Sequence, residues 1–353
     1  MRTQPKNQKL IINVLKGHKA VRPPLWLMRQ AGRHLPEYNK LRLQSKNFLD
    51  FCYSQDLCVD ATLQPIKRYG FDAAILFSDI LVIPDALGQQ VQFIPGTGPV
   101  LQPISTVKEI NDLNLSKLLQ HLSPIYESIE KIVLRLKDFS SKPALIGFIG
   151  APWTLATYMV EGGSSRDHQK TRKWAYESPE EFNQLINLLI DATSQHLLQQ
   201  IRSGVEVIQI FDSWAGVLSP LQFDRWVIGP TKKIIDRIKV KFPDIPIIGF
   251  PRGAGLLYKN FIEETGVDAV SIDSAVPLNW AVENLQKTVV VQGNLDNLAL
   301  LVGGDLLEAE ITNVLTALSN GPFIFNLGHG VLPDTPISHV KRLVERVHSV
   351  KNG

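Results

Sequence analysis

The sequence predicts an α/β protein of the closed (β/α)8 type, a single TIM barrel with an extra hairpin excursion near residues 91–101. Three observations carry this. Eight short runs, rich in β-branched and aromatic residues, are bounded by turn signals, at 25–28, 73–77, 144–149, 205–211, 246–250, 269–272, 288–291 and 323–327. Most are apolar throughout, as parallel strands covered on both faces are. Helical stretches separate them, and eight such units suit a chain of 353 residues. A doubly wound open sheet would share the alternation, but no Gly-x-Gly-x-x-Gly follows any run. Residues 1–353 are expected to form one barrel domain.

Each element has a local reason. Leu10, Ile11, Ile12, Val14 and Leu15 read as a short helix, solvated and flanked by Arg2, Lys6, Lys9, Lys16, Lys19 and Arg22. No acidic residue precedes Glu37, yet serine is absent there too, which argues against a transit peptide. The first run ends at Gly32 and Pro36, where the chain must leave it. Cys52 and Cys58 fall in the first long helix, about 240° apart around its axis, so they neither chelate one metal nor pair locally. Between the second and third runs, Pro95-Gly96-Thr97-Gly98-Pro99 reads as the turn of a hairpin over the barrel mouth. Ser178-Pro179-Glu180-Glu181 opens an amphipathic helix running to Arg202, and Gly204 is placed to end it. Ser219-Pro220 opens another helix, to about Lys241, and Thr335-Pro336 opens the last.

Composition narrows the function. A net charge of +3, with no zinc-finger pattern or basic-aromatic stripe, argues against nucleic acid as a partner. No apolar run approaches the ~18 residues that span a membrane, and no signal core is present. Two cysteines fit a reducing cytoplasm, the expected address.

In a barrel of this kind, chemistry collects at the carboxyl ends of the strands. Those ends read Arg29 and Arg33, Ser78-Asp79, Trp153-Thr154 with Tyr158, Asp212-Ser213-Trp214, Arg252, Asp273-Ser274, Asn294 with Asp296, and Gly328-His329-Gly330. The runs themselves read as free of polar groups. In a helical turn, Arg29 and Arg33 would share one face, two guanidinium forks forming a receptor for paired carboxylates or phosphate. The plain alternative is an ion pair with Glu37 or another acid. Likewise Asp79 could cap a helix, Asp212 and Asp273 could pair with cations, and Trp153 could simply pack. No His-Glu-x-x-His, Gly-x-Ser-x-Gly or Gly-x-x-x-x-Gly-Lys-Ser/Thr occurs. Only His329 among eight histidines follows a strand directly, which disfavours a multi-histidine metal site. One aspartate facing several arginines suggests a small, strongly anionic substrate whose reaction develops positive charge near Asp79.

These segments resemble a known family. Pro24 to Arg33, with Pro36-Glu37-Tyr38, is similar to the first signature of uroporphyrinogen decarboxylase. Gly147-Phe148 and Gly150-Ala151-Pro152-Trp153-Thr154-Leu155 through Tyr158 to Gly163 resembles the second. Phe77-Ser78-Asp79-Ile80-Leu81, Phe211 to Gly216 and Leu327-Gly328-His329-Gly330 match further family segments in order. The resemblance implies a (β/α)8 barrel, a homodimer with facing clefts, no metal and no organic cofactor. It implies loss of carbon dioxide from the four acetates of uroporphyrinogen III, giving coproporphyrinogen III. By the same resemblance, Asp79 stabilises a cationic pyrrole and Arg29, Arg33 and Arg42 bind carboxylates. Tyr158, Ser213 and His329 bind substrate carboxylates or orient Asp79, with Tyr158 and Arg29 counted beside Asp79 as catalytic. Proton delivery by Arg29 competes with a water or substrate carboxylic acid relayed through it. Phe77, Ile80 and Phe211 are expected to wall the macrocycle. The rivals are a zinc methyltransferase on a related barrel and a non-catalytic tetrapyrrole carrier.

Overall fold

The computed structural model describes residues 9–350; Arg2 and Lys6 lie outside them. The strands are β1 (Ala73–Ile75), β2 (Val91–Ile94), β3 (Gly98–Leu101), β4 (Ala144–Gly150), β5 (Val207–Asp212), β6 (Ile247–Pro251), β7 (Ala269–Ser271), β8 (Val290–Leu295) and β9 (Phe323–Leu327). Seven of these form one parallel sheet, in the order β1-β4-β5-β6-β7-β8-β9. β2 and β3 pair antiparallel as the expected hairpin, with Gly96 and Gly98 at positive φ in its turn.

The run at 25–28 departs from the expectation. It does not form a ladder strand but meets β9 in a single bridge, Leu25 to Phe325. It still fills the gap between the first and last strands. Pro24 O accepts from Phe325 N, and Leu25 O accepts from Asp72 N, both at 2.9 Å. Pro23 and Pro24 have no N–H to give, so a regular ladder cannot start here. Beyond them, side-chain amides take over: Leu27 N donates to Gln30 Oε1 and Met28 N to Asn326 Oδ1, both at 3.1 Å.

Two further expectations are corrected inside the barrel. Helix Leu10–Leu15 is not a solvated surface helix. Ile11, Val14 and Leu15 are buried against Trp26, Ala73, Ala144, Val207 and Ile324, so the helix seals the amino-terminal end of the barrel. Nor are the strands free of polar groups. Trp26 Nε1 donates to Gln292 Oε1 (2.9 Å), and Gln292 Nε2 donates to Gln209 Oε1 (3.3 Å) and Ser271 Oγ (3.1 Å). Gln292 is bonded at both ends, which offsets its burial, while Gln209 Nε2 has no partner among the described residues.

Among the helices, Pro179–Arg202 matches its expected bounds, although Ser178 makes no side-chain cap bond. The helix after Ser219 is interrupted by a π turn at Asp224–Ile228 before resuming at Gly229. Pro230 cannot donate one turn back, so the turn widens there. The cysteines sit on two helices, Phe48–Tyr53 and Gln55–Tyr69, separated at Ser54. Cys58 Sγ donates to the carbonyls of Phe51 and Cys52. Burial raises both thiols, Cys58 to about 12. Among the described residues, no helix is long and apolar enough to cross a membrane.

Candidate active site

A cavity of about 870 Å³ opens at the carboxyl ends of the strands, and Arg29, Arg33, Arg42, Asp79, Tyr158, Ser213 and His329 all line it. Residues separated by as many as 300 positions thus meet in one hollow, as strand ends in a barrel must. Phe77, Ile80 and Phe211 line it as expected. The expectation omitted Phe48, Phe148 and Phe250, which widen the apolar wall; the hairpin segment from Phe93 to Pro99, expected over the barrel mouth, also lines it. Phe148 lay within a quoted motif, and alternation along β4 and β6 was the signal that could have placed it and Phe250. Phe48 had no such signal.

The arginines arrive by different routes. The expected helical turn from Arg29 to Arg33 is absent; the segment is a series of turns. Arg29 has φ +60°, a left-handed backbone that non-glycine residues seldom take. Gln30 holds that turn: its N–H donates to Leu27 O (2.9 Å) and its Nε2 to Ala73 O (3.1 Å). With the backbone pinned on the buried side, the Arg29 side chain is thrown into the cavity. Arg42 ends helix Pro36–Arg42, its guanidinium 5.2 Å above the Phe48 ring and bonded to Ser45 Oγ at 2.9 Å.

None of these three arginines has a carboxylate partner among the described residues. Glu37, the nearest acid in sequence, is held by Arg68 through two bonds of 2.6 and 2.9 Å. The plain reading of Arg29 and Arg33 therefore loses its partner. Cations gathered in a hollow without counter-ions are a site for an anion from outside.

Asp79 is the acid of the cavity. The capping reading holds for half of it: Oδ1 accepts from Leu81 N at 2.8 Å, two residues on, before helix Val82–Ala86. Oδ2 has no hydrogen-bond partner among the described residues. Burial pushes its carboxyl above the ordinary carboxylate value, against the Leu81 N–H and the Arg29 charge. A half-buried carboxylate with one oxygen free toward the cavity is poised to gain from a cation placed beside it.

Tyr158 projects from helix Pro152–Glu161, its ring 6.2 Å from that of Trp214. Burial and the Asp79 charge raise its phenol above the ordinary value. Burial lowers His329 to about 4, with Arg29 and Arg252 adding to the effect and Asp273 opposing it. His329 is therefore neutral near pH 7. Its sign is definite: the unfolded chain binds this proton near pH 6.5 and the folded chain does not, so stability is lost as pH falls from about 6.5 to about 4. His329→Gln, which cannot charge, should lose less thermal stability than the parent between pH 7 and pH 5. Parallel stability curves for the two would show that His329 is not held neutral.

Several other strand-end groups are taken up by hydrogen bonds or packing within the protein. Asp273 accepts from Gly253 N (2.8 Å), Tyr258 OH (2.9 Å) and Ala275 N (3.0 Å), with no cation. Asn294 Nδ2 donates to the carbonyls of Asp273 and Val276. Asp296 caps helix Asn297–Val302. Trp153 is fully buried against Phe182 and donates Nε1 to Trp214 O. Asp212 also lacks a cation; Thr154 Oγ1 donates to it at 2.5 Å, while burial pushes its carboxyl up to about 7. Neither cysteine lines the cavity.

A family profile described as Uroporphyrinogen decarboxylase (URO-D) matches residues 6–350. A protein named uroporphyrinogen decarboxylase from Rhodospirillum rubrum is 50% identical, covering 99% of this chain and 99% of its own length. One of the same name from Mesorhizobium japonicum is 48% identical, covering 98% and 99%. Among solved structures, a methyltransferase from Methanosarcina mazei superposes with a TM-score of 0.77 at 18% identity, covering 96% of this chain and 97% of its own. That last likeness speaks for the barrel fold alone.

Proposed function

The chain belongs to the uroporphyrinogen decarboxylase family, a family of carboxy-lyases in porphyrin and haem biosynthesis, and from that premise we propose how its cavity works. The observation that carries the proposal is a set of three arginines, none in an ion pair among the described residues, sharing one cavity with the half-free carboxylate of Asp79.

The substrate, uroporphyrinogen III, has eight carboxylates, and Arg29, Arg33 and Arg42 bind some of them, with Tyr158, Ser213 and His329 completing the set. Guanidinium forks suit this task because each meets a carboxylate through two bonds. The macrocycle packs on Phe77, Ile80, Phe148 and Phe211, which exclude water.

Protonation of a ring carbon turns one pyrrole into a cation. The C–C bond of its acetate then breaks, carbon dioxide leaves, and the bonding pair flows into the ring to neutralise it. A proton added at the exposed methylene gives the methyl group, and the ring carbon returns its proton. Each acetate thus consumes one proton net. Asp79 Oδ2 accepts the pyrrole N–H and stabilises the cation. The neutral His329 and the Tyr158 phenol serve as hydrogen-bonding groups, not as charges. Arg29 lies nearest in role to the proton donor, yet a guanidinium holds its proton too tightly to be a ready acid. A water or a substrate carboxylic acid held by Arg29 meets the requirement better.

We propose that residues 1–353 form one barrel domain that acts as a homodimer without metal or organic cofactor, as the family resemblance implies, and that it works in the cytoplasm, the address its two unpaired cysteines fit. Anaerobic incubation of chelator-treated protein with uroporphyrinogen III, followed by mass spectrometry, tests it. Stepwise loss of four carboxyl groups is expected. Tight binding with no loss would favour a carrier instead.

A further inference from the structure

Tyr158 and Ser213 reach the cavity from different elements, a helix and the loop after β5, and something must set their separation. The hydroxyl of Thr154 stands between those elements. Thr154 lies in the first turn of helix Pro152–Glu161, four residues before Tyr158 and on the same side, and is fully buried. Its Oγ1 does not cap its own helix. It donates to Asp212 Oδ1 at 2.5 Å and accepts from Trp214 N at 3.3 Å. Asp212 and Trp214 are the two residues flanking Ser213. A third bond runs the same way, Trp153 Nε1 to Trp214 O at 3.1 Å. The other end of the helix is tied too: Ile104 N donates to Met159 O and Leu101 N to Gly162 O, both at 2.9 Å. The helix therefore has little freedom except through its first turn.

We propose that Thr154 is a positioning residue: through Asp212 and Trp214 it fixes Ser213 relative to Tyr158, so that both meet the substrate together. Asp212 is buried, so the bond from Thr154 is shielded from water and costly to lose. This inference rests on the assignment of Tyr158 and Ser213 as substrate contacts.

The test is a cycle of kcat/KM measurements with uroporphyrinogen III. Thr154→Val removes donor and acceptor while keeping shape, and should lower kcat/KM about tenfold, since misplacement of contact groups by about an ångström is costly. Thr154→Ser keeps the hydroxyl and should restore most of the loss. In a Tyr158→Phe, Ser213→Ala background, Thr154→Val should cost almost nothing further, because its effect passes through those two side chains. A full additional loss in that background overturns the inference, as does near-normal kcat/KM for Thr154→Val alone. If Tyr158→Phe, Ser213→Ala itself leaves kcat/KM unchanged, the site assignment fails and the inference with it. Should Thr154→Val not fold, the same cycle is run with Asp212→Asn, Thr154→Val, in which the buried charge is removed as well.

Discussion

Asp79→Asn is expected to lower kcat by about 10²–10³, while the protein folds and still binds substrate. The Asn side chain keeps an oxygen for the 2.8 Å bond from Leu81 N, so the turn before helix Val82–Ala86 is retained. What disappears is the negative charge beside the position of the pyrrole cation. Burial already disfavours that charge in the free protein, so removing it should leave thermal stability equal or higher. Stability held and turnover lost is the signature of a group kept for chemistry at some cost to the fold. The check is kcat by product analysis beside a thermal unfolding curve. Near-normal turnover would remove Asp79 from the mechanism. Loss of turnover together with loss of folding would instead point to the capping bond as its main role.

Gly330→Ala should impair catalysis through Arg29, a residue distant in sequence. A methyl group at Gly330 would sit 2.3 Å from Arg29 Cδ and 2.6 Å from Cγ. The three nearest atoms all belong to the flexible Arg29 side chain, so the clash is relieved by moving it while the backbone stays. Glycine is present here for space, since its φ is not in the left-handed region. Displacement of a guanidinium by about an ångström or more should cost up to about a hundredfold in kcat/KM, with little change in thermal stability. If Gly330→Ala performs like the parent, Arg29 has another productive pose and its exact placement is unimportant.

The sequence was informative about the barrel because its strands are buried on both faces and so unbroken in apolar character. It was informative about the site because polar residues cluster where those runs stop. It misled wherever an answer depended on a partner far along the chain. The run at 25–28 looks like its fellows, yet two prolines start it and side chains from Gln30 and Asn326 replace its ladder. The residues Leu10–Leu15 look amphipathic and lysine-flanked, and only the ring of strand bottoms around them makes them a plug. Gln209 and Gln292 are 83 positions apart, so their mutual bond is invisible in either run alone. Within the site, Arg29 lines the cavity, but without the helical geometry that would have set it beside Arg33. Its left-handed backbone, set by Gln30, has no signature in residue type. The partner that excludes the plain reading of Glu37, Arg68, lies 31 residues on.

The helical plug has a consequence for traffic. With Ile11, Val14 and Leu15 seated among the strand bottoms and buried amides above them, the described residues close the barrel at its amino-terminal end. Substrate, carbon dioxide and product are left the opposite mouth, lined on one side by the hairpin tip. A ring that carries four acetates but meets one aspartate must present them in succession. It has to turn within the vestibule or step out and re-enter between rounds. On the proposed reading the apolar wall is a bearing surface: aromatic faces hold the macrocycle without fixing its rotation, and the arginines set each stop.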